Sequence, residues 1–424
     1  MAHIVFIVGS YHPNFQAVGI CVRNVVDELK KENKITIICQ KKKFNEDNVE
    51  GFEETQIVRI QTKLNSFKCH FIAKSNKNSG ITKKLYKLIA DSIRVYRYLN
   101  ALLSKVILQS DVVEGYLTSL AQVHKEEKID MIIPCASPFE SCVAGVKFKL
   151  SNKEVKLVPF MFDNYAFNIA IYRNSKLFYN QKLHNHIKLE RLVIQESDEI
   201  LCMKHYAESF TKIHKNKKKI SIVEHPLLVE IEKGNNFNFD KEKINIVYTG
   251  GLFKKIRNPE YALSVFSEIM ERNSKIVIHI FGSGDCSSII DSFIQKHPKQ
   301  IINHGYVNSN IAGAARNNCN FLLSIGNISN NQLPSKTFEY MASLKPIIHF
   351  SKITDDKTVD ILCKYPNRLI LFEEFNQIDN NSKKIYQFLN KKKKTINFRE
   401  LENIFYDAVP SHTSEIIKNI NKSI

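Results

Sequence analysis

The sequence predicts an α/β protein of two doubly wound, Rossmann-like domains. Three observations carry this. Short apolar runs bounded by turn residues alternate with longer helical patterns, as in a parallel sheet covered by helices on both faces. The alternation stops once and restarts. The chain has 424 residues, long for one compact domain and comfortable for two.

The first series opens with a strand at Ile4 to Val8, crosses a loop at Tyr11 to Gln16, enters a helix near Gly19 to Lys31 and returns as Ile35 to Cys39. Further strands are predicted at Ile129 to Ile133, Val155 to Phe160, Glu199 to Met203 and Ile220 to Val223. The polar stretch Glu232 to Lys243 then loses all apolar period and reads as a linker. This bounds a first domain at 1–228, a linker at 229–243 and a second domain at 244–395. In the second domain strands are predicted at Ile244 to Tyr248, Ile276 to Phe281, Phe321 to Ile325 and Ile347 to Phe350, with helices from Pro259, Cys286, Ser335 and Asp355. The segment 396–424 carries helical spacing and is expected to pack back on the first domain.

Hydrophobic residues make up 43% and charged residues 25%, which excludes a fibrous or largely disordered chain. A formal charge of +18 calls for an anionic partner: nucleic acid, an anionic membrane face or phosphorylated substrates. Nine cysteines without a C-x-x-C pair suit a reducing compartment. The opening apolar run is too short for a secretory core, so a cytoplasmic location is expected, with membrane contact peripheral. The stretch Ile81 to Ile107 mixes Leu85, Leu88 and Leu99 with Lys83, Lys84, Lys87 and Arg94. It reads either as a basic amphipathic helix for a membrane surface or as a helix whose apolar stripe covers the domain core. Lys391 to Lys394 read as a solvated helix end.

Ligands of doubly wound sheets bind beyond the carboxyl ends of strands, so the loops there carry the candidate chemistry. After Tyr248 comes Thr249-Gly250-Gly251-Leu252-Phe253-Lys254-Lys255-Ile256-Arg257-Asn258-Pro259. Its glycines admit a ligand to the backbone and its cations suit a diphosphate; it reads equally as a turn with surface cations. After Phe281 comes Gly282-Ser283-Gly284-Asp285, a weak fingerprint because Ser287 stands where a third glycine belongs, and a tight turn capped by Asp285 explains it too. In Asn331-Gln332-Leu333-Pro334-Ser335-Lys336-Thr337-Phe338-Glu339-Tyr340, a helix starting near Ser335 puts Ser335, Lys336 and Glu339 on one face. Its free N–H groups suit phosphate, and Glu339 has two oxygens for the hydroxyls of a ribose. A capping box does not explain Glu339, because Phe338 holds the position that a box needs.

The ordered set G-G-L-x-K-K-x-R-N-P, G-S-G, His304-Gly-Tyr-Val307, L-P-S-K-T-F-E-Y-M-A and Lys345-Pro-Ile-Ile348 resembles the retaining glycosyltransferases of family 4. The resemblance implies the glycosyltransferase-B fold, in which two such domains face a cleft. The second holds a nucleotide diphosphate sugar and the first a glycan or lipid-linked acceptor. It places Glu339 on the ribose, Ser335 and Lys336 on the phosphates, Gly282 to Gly284 near the base, and Lys254 or Lys255 with Arg257 on the departing diphosphate. It counts Gly19, Gly250, Gly251, Asn331 and Pro334 with the donor-binding residues. Two positions depart from the pattern: Asn331 stands where the family has an acidic residue, and Leu344 where it has glycine.

On the acceptor side, Asp163 follows a strand and can orient or deprotonate an acceptor hydroxyl, though Asp163-Asn164 also reads as a turn. The 14 histidines show no metal-ligand spacing, so no metal and no cofactor beyond the donor are expected. The function implied is a hexosyl transferase building cell-surface polysaccharide or glycolipid. Two other readings share the fold: a nucleotide-sugar 2-epimerase, and a non-catalytic partner with a relic donor site. Nucleic-acid binding accounts for the charge but not for the ordered phosphate and ribose motifs, and is not expected.

Overall fold

The computed structural model describes residues 1–13, 15–43, 46–172, 177–214, 220–231, 237–328 and 333–422. Two compact units result: Met1–Pro226 with Pro410–Ile424, and Leu227–Val409.

The first unit runs β1 (His3–Ile7), α1 (Ala17–Leu29), β2 (Lys34–Gln40), β3 (Val49–Phe52), β4 (Thr55–Ile60), α2 (Lys63–Lys77), α3 (Gly80–Leu103), α4 (Ser110–Glu126), β5 (Met131–Pro134), α5 (Glu140–Ser151), β6 (Lys156–Leu157) and β7 (Phe160–Met161). It continues with α6 (Ile169–Tyr172), α7 (Tyr179–Glu196), β8 (Ile200–Met203), α8 (Lys204–His214) and β9 (Ile220–Val223). Strands β3-β4-β2-β1-β5-β6 form one sheet and β7-β8-β9 another. All ladders are parallel except the hairpin β3–β4.

The single strand predicted over Val155 to Phe160 is two. Pro159 lacks the N–H that a ladder needs, so β6 pairs with β5 and the chain re-enters as β7 beside β8. A bridge from Cys135 to Phe160 joins the two sheets. The hairpin β3–β4 went unpredicted, because Val49-Glu-Gly-Phe52 is short, edge-lying and polar.

The second unit runs β10 (Ile244–Thr249), α9 (Glu260–Met270), β11 (Ile276–Phe281), α10 (Ser287–Lys296), β12 (Ile301–Gly305), α11 (Ser309–Asn318), β13 (Phe321–Ile325), α12 (Lys336–Ala342), β14 (Ile347–Ser351), α13 (Lys357–Leu362), β15 (Arg368–Phe372), α14 (Ile378–Asn390) and α15 (Phe398–Ile404). Its sheet is fully parallel in the order β12-β11-β10-β13-β14-β15. That is the doubly wound order in which the chain leaves the middle twice, once to each edge. The reversal between β10 and β13 is therefore a topological switch point. Strands β10, β11 and β14 are mostly apolar and almost wholly buried, which is why they read clearly in the sequence. The edge strands β12 and β15 mix polar residues in and were missed.

The end of the chain divides. Helix α15 belongs to the second unit, whereas α16 (Pro410–Lys422) belongs to the first. Lys418 pairs with Glu32 at 2.9 Å, and the Lys156 ammonium donates to the carbonyl of Asn421 at 3.1 Å near the helix's negative pole. Among the 391–394 lysines, the Lys393 ammonium lies 4.3 Å from the Phe388 ring centre and donates to the Phe388 carbonyl, so it closes α14 instead of standing free in water.

Leu344 follows α12 with φ +58°, the left-handed position that ends many helices and that glycine fills without steric cost. Leu344→Gly is expected to be more stable than Leu344→Ala by about 1 kcal/mol in urea unfolding, since both remove the side chain and only one keeps a β-carbon. Equal stability would contradict the left-handed backbone.

Candidate functional site

At the switch point, the loops that follow β10 and β11 are laced together by their backbones. Gly250 N–H donates to Phe281 O at 2.9 Å, Leu252 N–H to Ser283 O at 2.9 Å, and Asp285 N–H returns to Leu252 O at 3.1 Å. Gly282 N–H donates to Gly305 O at 2.8 Å, tying in the loop after β12. A β-carbon on Gly282 would lie 1.8 Å from the Gly250 oxygen, and one on Gly284 would lie 1.7 Å from the Leu252 oxygen. Gly250 and Gly284 also have φ of +141° and +151°. The G-G and G-x-G motifs thus answer first to backbone packing against backbone. Asp285 is not the helix cap: Cys286 holds that position, and the Asp285 carboxylate accepts the Lys254 N–H at 2.7 Å.

Beside this lacing stands a cluster of cations. Glu339 Oε2 lies 3.1 Å from an Arg316 guanidinium nitrogen and 3.3 Å from Lys336 Nζ, with Glu339 and Arg316 mostly buried. Burial pushes the Lys336 ammonium below its ordinary pKa; Glu339 opposes the shift, and the charges of Arg316 and Arg257 add to it. Arg257 is held by Asn327, its guanidinium donating to Oδ1 at 2.8 Å just beyond β13. The Nε atoms of Arg257 and Arg316 are buried without a hydrogen-bond partner. Two cations, Arg316 and Lys336, share one carboxylate, and the charge of Arg257 acts on Lys336 from beside them.

Helix α12 is fixed to the end of β10. The buried Tyr340 hydroxyl accepts the Thr249 N–H at 2.8 Å and donates to the Thr249 carbonyl at 3.2 Å. The helix has seven residues, and Ser335 stands at its N-cap without a side-chain capping bond.

The structure pairs Lys336 with Glu339 and puts the charge of Arg257 within reach of Lys336. Lys254 and Lys255 are exposed in the turn that leads to Arg257. Gly251 packs on Phe253, Ser283 is exposed, and Pro334 offers its carbonyl to Thr337 N–H at 3.0 Å. Asn331 lies outside the described residues. Arg316 is the member that sequence reasoning missed: a cation in the last turn of a helix, as on α11, reads as compensation of the dipole.

In the first unit, Asp163, His205, Glu224 and His225 follow β7, β8 and β9. Burial pushes the Asp163 carboxyl above its ordinary pKa, and the charge of His225 pulls it back in part. Glu224 Oε1 lies 2.9 Å from His225 Nδ1, and the His205 ring stacks on His225 with centres 5.6 Å apart. Ligand atoms of His205, Glu224 and His225 lie within 4.8 Å of one another, within reach of a divalent cation. His205 follows β8 and the adjacent Glu224-His225 follow β9, so the group was not readable as one motif. Gly19 also belongs to this unit, on α1, where a β-carbon would meet the Ser10 carbonyl at 2.6 Å.

Gly282→Ala is expected to cost at least about 3 kcal/mol of second-unit stability in denaturant unfolding, because its neighbour is backbone that cannot swing away. Gly305→Ala, at φ +65° in open space, is expected to cost about 1 kcal/mol. Similar losses at the two positions would contradict the lacing.

By sequence the chain matches no protein-family model and no curated protein. By structure it is similar to a sucrose-phosphate synthase from Thermosynechococcus elongatus, with TM-score 0.60, 11% identity and 99% of each chain covered. It is similar to TarM of S. aureus in complex with Fondaparinux, alpha-GlcNAc-glycerol and UDP, with TM-score 0.59, 13% identity and 100% of each chain covered. A structure described as trehalose-6-phosphate from E. coli bound with UDP-2-fluoro glucose matches with TM-score 0.60, 9% identity and 100% of each chain covered. Likeness over whole chains at such low identity establishes architecture, and the architecture of this chain is the glycosyltransferase-B fold.

Proposed function

We infer that the protein is a retaining glycosyltransferase of family 4 type. In this reading it moves a hexosyl unit from a nucleotide diphosphate sugar to a glycan or lipid-linked acceptor, in polysaccharide or glycolipid synthesis. The observation that carries the reading is the pairing of Arg316 and Lys336 with Glu339 beside the switch point, with the charge of Arg257 near enough to act on Lys336. A diphosphate supplies the negative charge that three cations lack, and a ribose supplies two hydroxyls for the carboxylate. Solved structures of the same fold carry UDP or a UDP-sugar analogue, which is in keeping with such a donor.

In this reading the cations act most strongly as the glycosidic bond to phosphate breaks and charge gathers on the leaving oxygen. Such groups, held in place beforehand, cost no reorganisation, and removing one costs roughly 3 kcal/mol of barrier. Lys254 and Lys255, on the exposed turn, add long-range attraction for the donor. Ser335 and Pro334 shape the entry to α12, and the backbone of Gly250, Gly251 and Gly282 to Gly284 lines the donor. Asp163, whose proton affinity is raised by burial, orients the acceptor hydroxyl. The transfer step uses no metal.

The test is thermal unfolding of the protein against a panel of nucleoside diphosphates and sugar nucleotides in EDTA. One base family is expected to raise the midpoint, with stabilisation of about 3 kcal/mol at a hundredfold excess over the dissociation constant. Arg257→Ala and Glu339→Ala are each expected to lose most of that shift relative to their own ligand-free midpoints. A folded protein that responds to none of the panel would exclude an autonomous donor site.

A further inference from the structure

Helix α3 carries two stripes. Tyr86, Ala90, Ile93 and Arg97 recur at helical spacing and turn inward, with Ala90 and Ile93 buried. The leucine-rich stripe of Ile81, Leu85, Leu88, Val95, Leu99 and Leu103 turns outward instead. With Ser92, it spans about 80° of arc at 3.6 residues per turn. Ile81 is 85% exposed, and Leu88 and Leu103 are each 68% exposed. Of the two readings of this stretch, the apolar stripe that covers the core is therefore wrong: the small inward stripe does that, and the large residues are left in water.

The helix is firmly held. Its carboxyl end receives the buried Lys182 ammonium on the carbonyls of Ala101 and Leu102 at 2.9 and 2.8 Å, and Ser75 of α2 donates to the Lys83 carbonyl at 3.1 Å. Helix α2 packs beside it and adds exposed Phe67 and Ile72. Together α2 and α3 carry nine lysines and arginines against one carboxylate, Asp91. Lys84 borders the stripe, with Lys87 and Arg94 farther round the same flank.

We propose that this face docks the first unit on an anionic lipid bilayer, with α3 lying in the plane of the interface and its leucine stripe among the acyl chains. The leucines require an apolar medium, and the lysines require anions at its edge; a bilayer of acidic lipids offers both at that spacing. A second copy of the chain would bring like charge against like charge, and a nucleic acid would leave the leucines in water. No helix among the described residues is long and apolar enough to cross a membrane, so the contact is peripheral. The proposal does not depend on the transferase reading.

The test is flotation of the full chain with vesicles of equimolar phosphatidylglycerol and phosphatidylcholine, beside vesicles of phosphatidylcholine alone. Two variants accompany it, Leu85→Ser/Leu88→Ser/Leu99→Ser and Lys83→Glu/Lys84→Glu/Lys87→Glu, both at exposed positions and both checked for an unchanged melting midpoint. The wild type is expected to float with the acidic vesicles and not with the neutral ones. Each variant is expected to lose at least about tenfold in partitioning, since a single lysine near an anionic surface contributes roughly fivefold. The proposal is overturned if the wild type stays in solution at low salt, or if the leucine variant floats as well as the wild type. It is also overturned if the leucine stripe proves to be a lipid-free dimer contact, lost in that variant by sedimentation equilibrium. Binding of RNA that depends on the lysines and ignores the leucines, without flotation, overturns it in favour of a nucleic-acid surface.

Discussion

The Gly250 carbonyl oxygen lies so near Gly282 that a β-carbon there would stand 1.8 Å away, and the carboxyl side of the second sheet is built around that approach. The loops after β10, β11 and β12 form one layer because their N–H and C=O groups satisfy one another. Tyr340 extends the arrangement to α12 by taking up both backbone groups of Thr249. Glu339 is therefore placed by its neighbour Tyr340, and Arg257 by the turn that ends the laced loop and by Asn327. The helix, the turn and the cations are consequences of a packing that only glycine permits.

That packing holds three cations close together at a cost. Lys336 is partly desolvated and feels Arg257 and Arg316 as well as Glu339, so its charged form is disfavoured. A cluster of this kind lowers the stability of the folded protein, and in the proposed reading the anionic donor offsets that cost. In the first unit, Asp163 and the group of His205, Glu224 and His225 gather at strand ends in the same way, but there the balance is between carboxylates and imidazoles. The two units present different electrostatics on a similar scaffold.

What was legible in the sequence follows from burial. Strands β1, β2, β10, β11 and β14 are mostly apolar and buried and stand out, while β12 and β15 lie at edges and are more exposed. Of the candidate site, the Lys336–Glu339 spacing was readable because both residues share a helix face, and their contact at 3.3 Å follows. Arg316 was not readable, because it arrives from a separate helix through the order of strands in the sheet. The exposed leucines of α3 mislead a pattern reading for a different reason. Two stripes on one helix compete for the core, and only packing shows that the one centred on Ala90 and Ile93 faces it.

The central claim is that the cluster of Arg257, Arg316 and Lys336 beside Glu339 holds the diphosphate of a nucleotide. Crystals grown with UDP, and in parallel with GDP and ADP, test it most directly. Density for a diphosphate among those three side chains is expected in at least one of the set, with the ribose hydroxyls turned toward Glu339. A nucleotide bound elsewhere on the second unit, with the Arg316–Glu339 and Lys336–Glu339 pairs undisturbed, would contradict it.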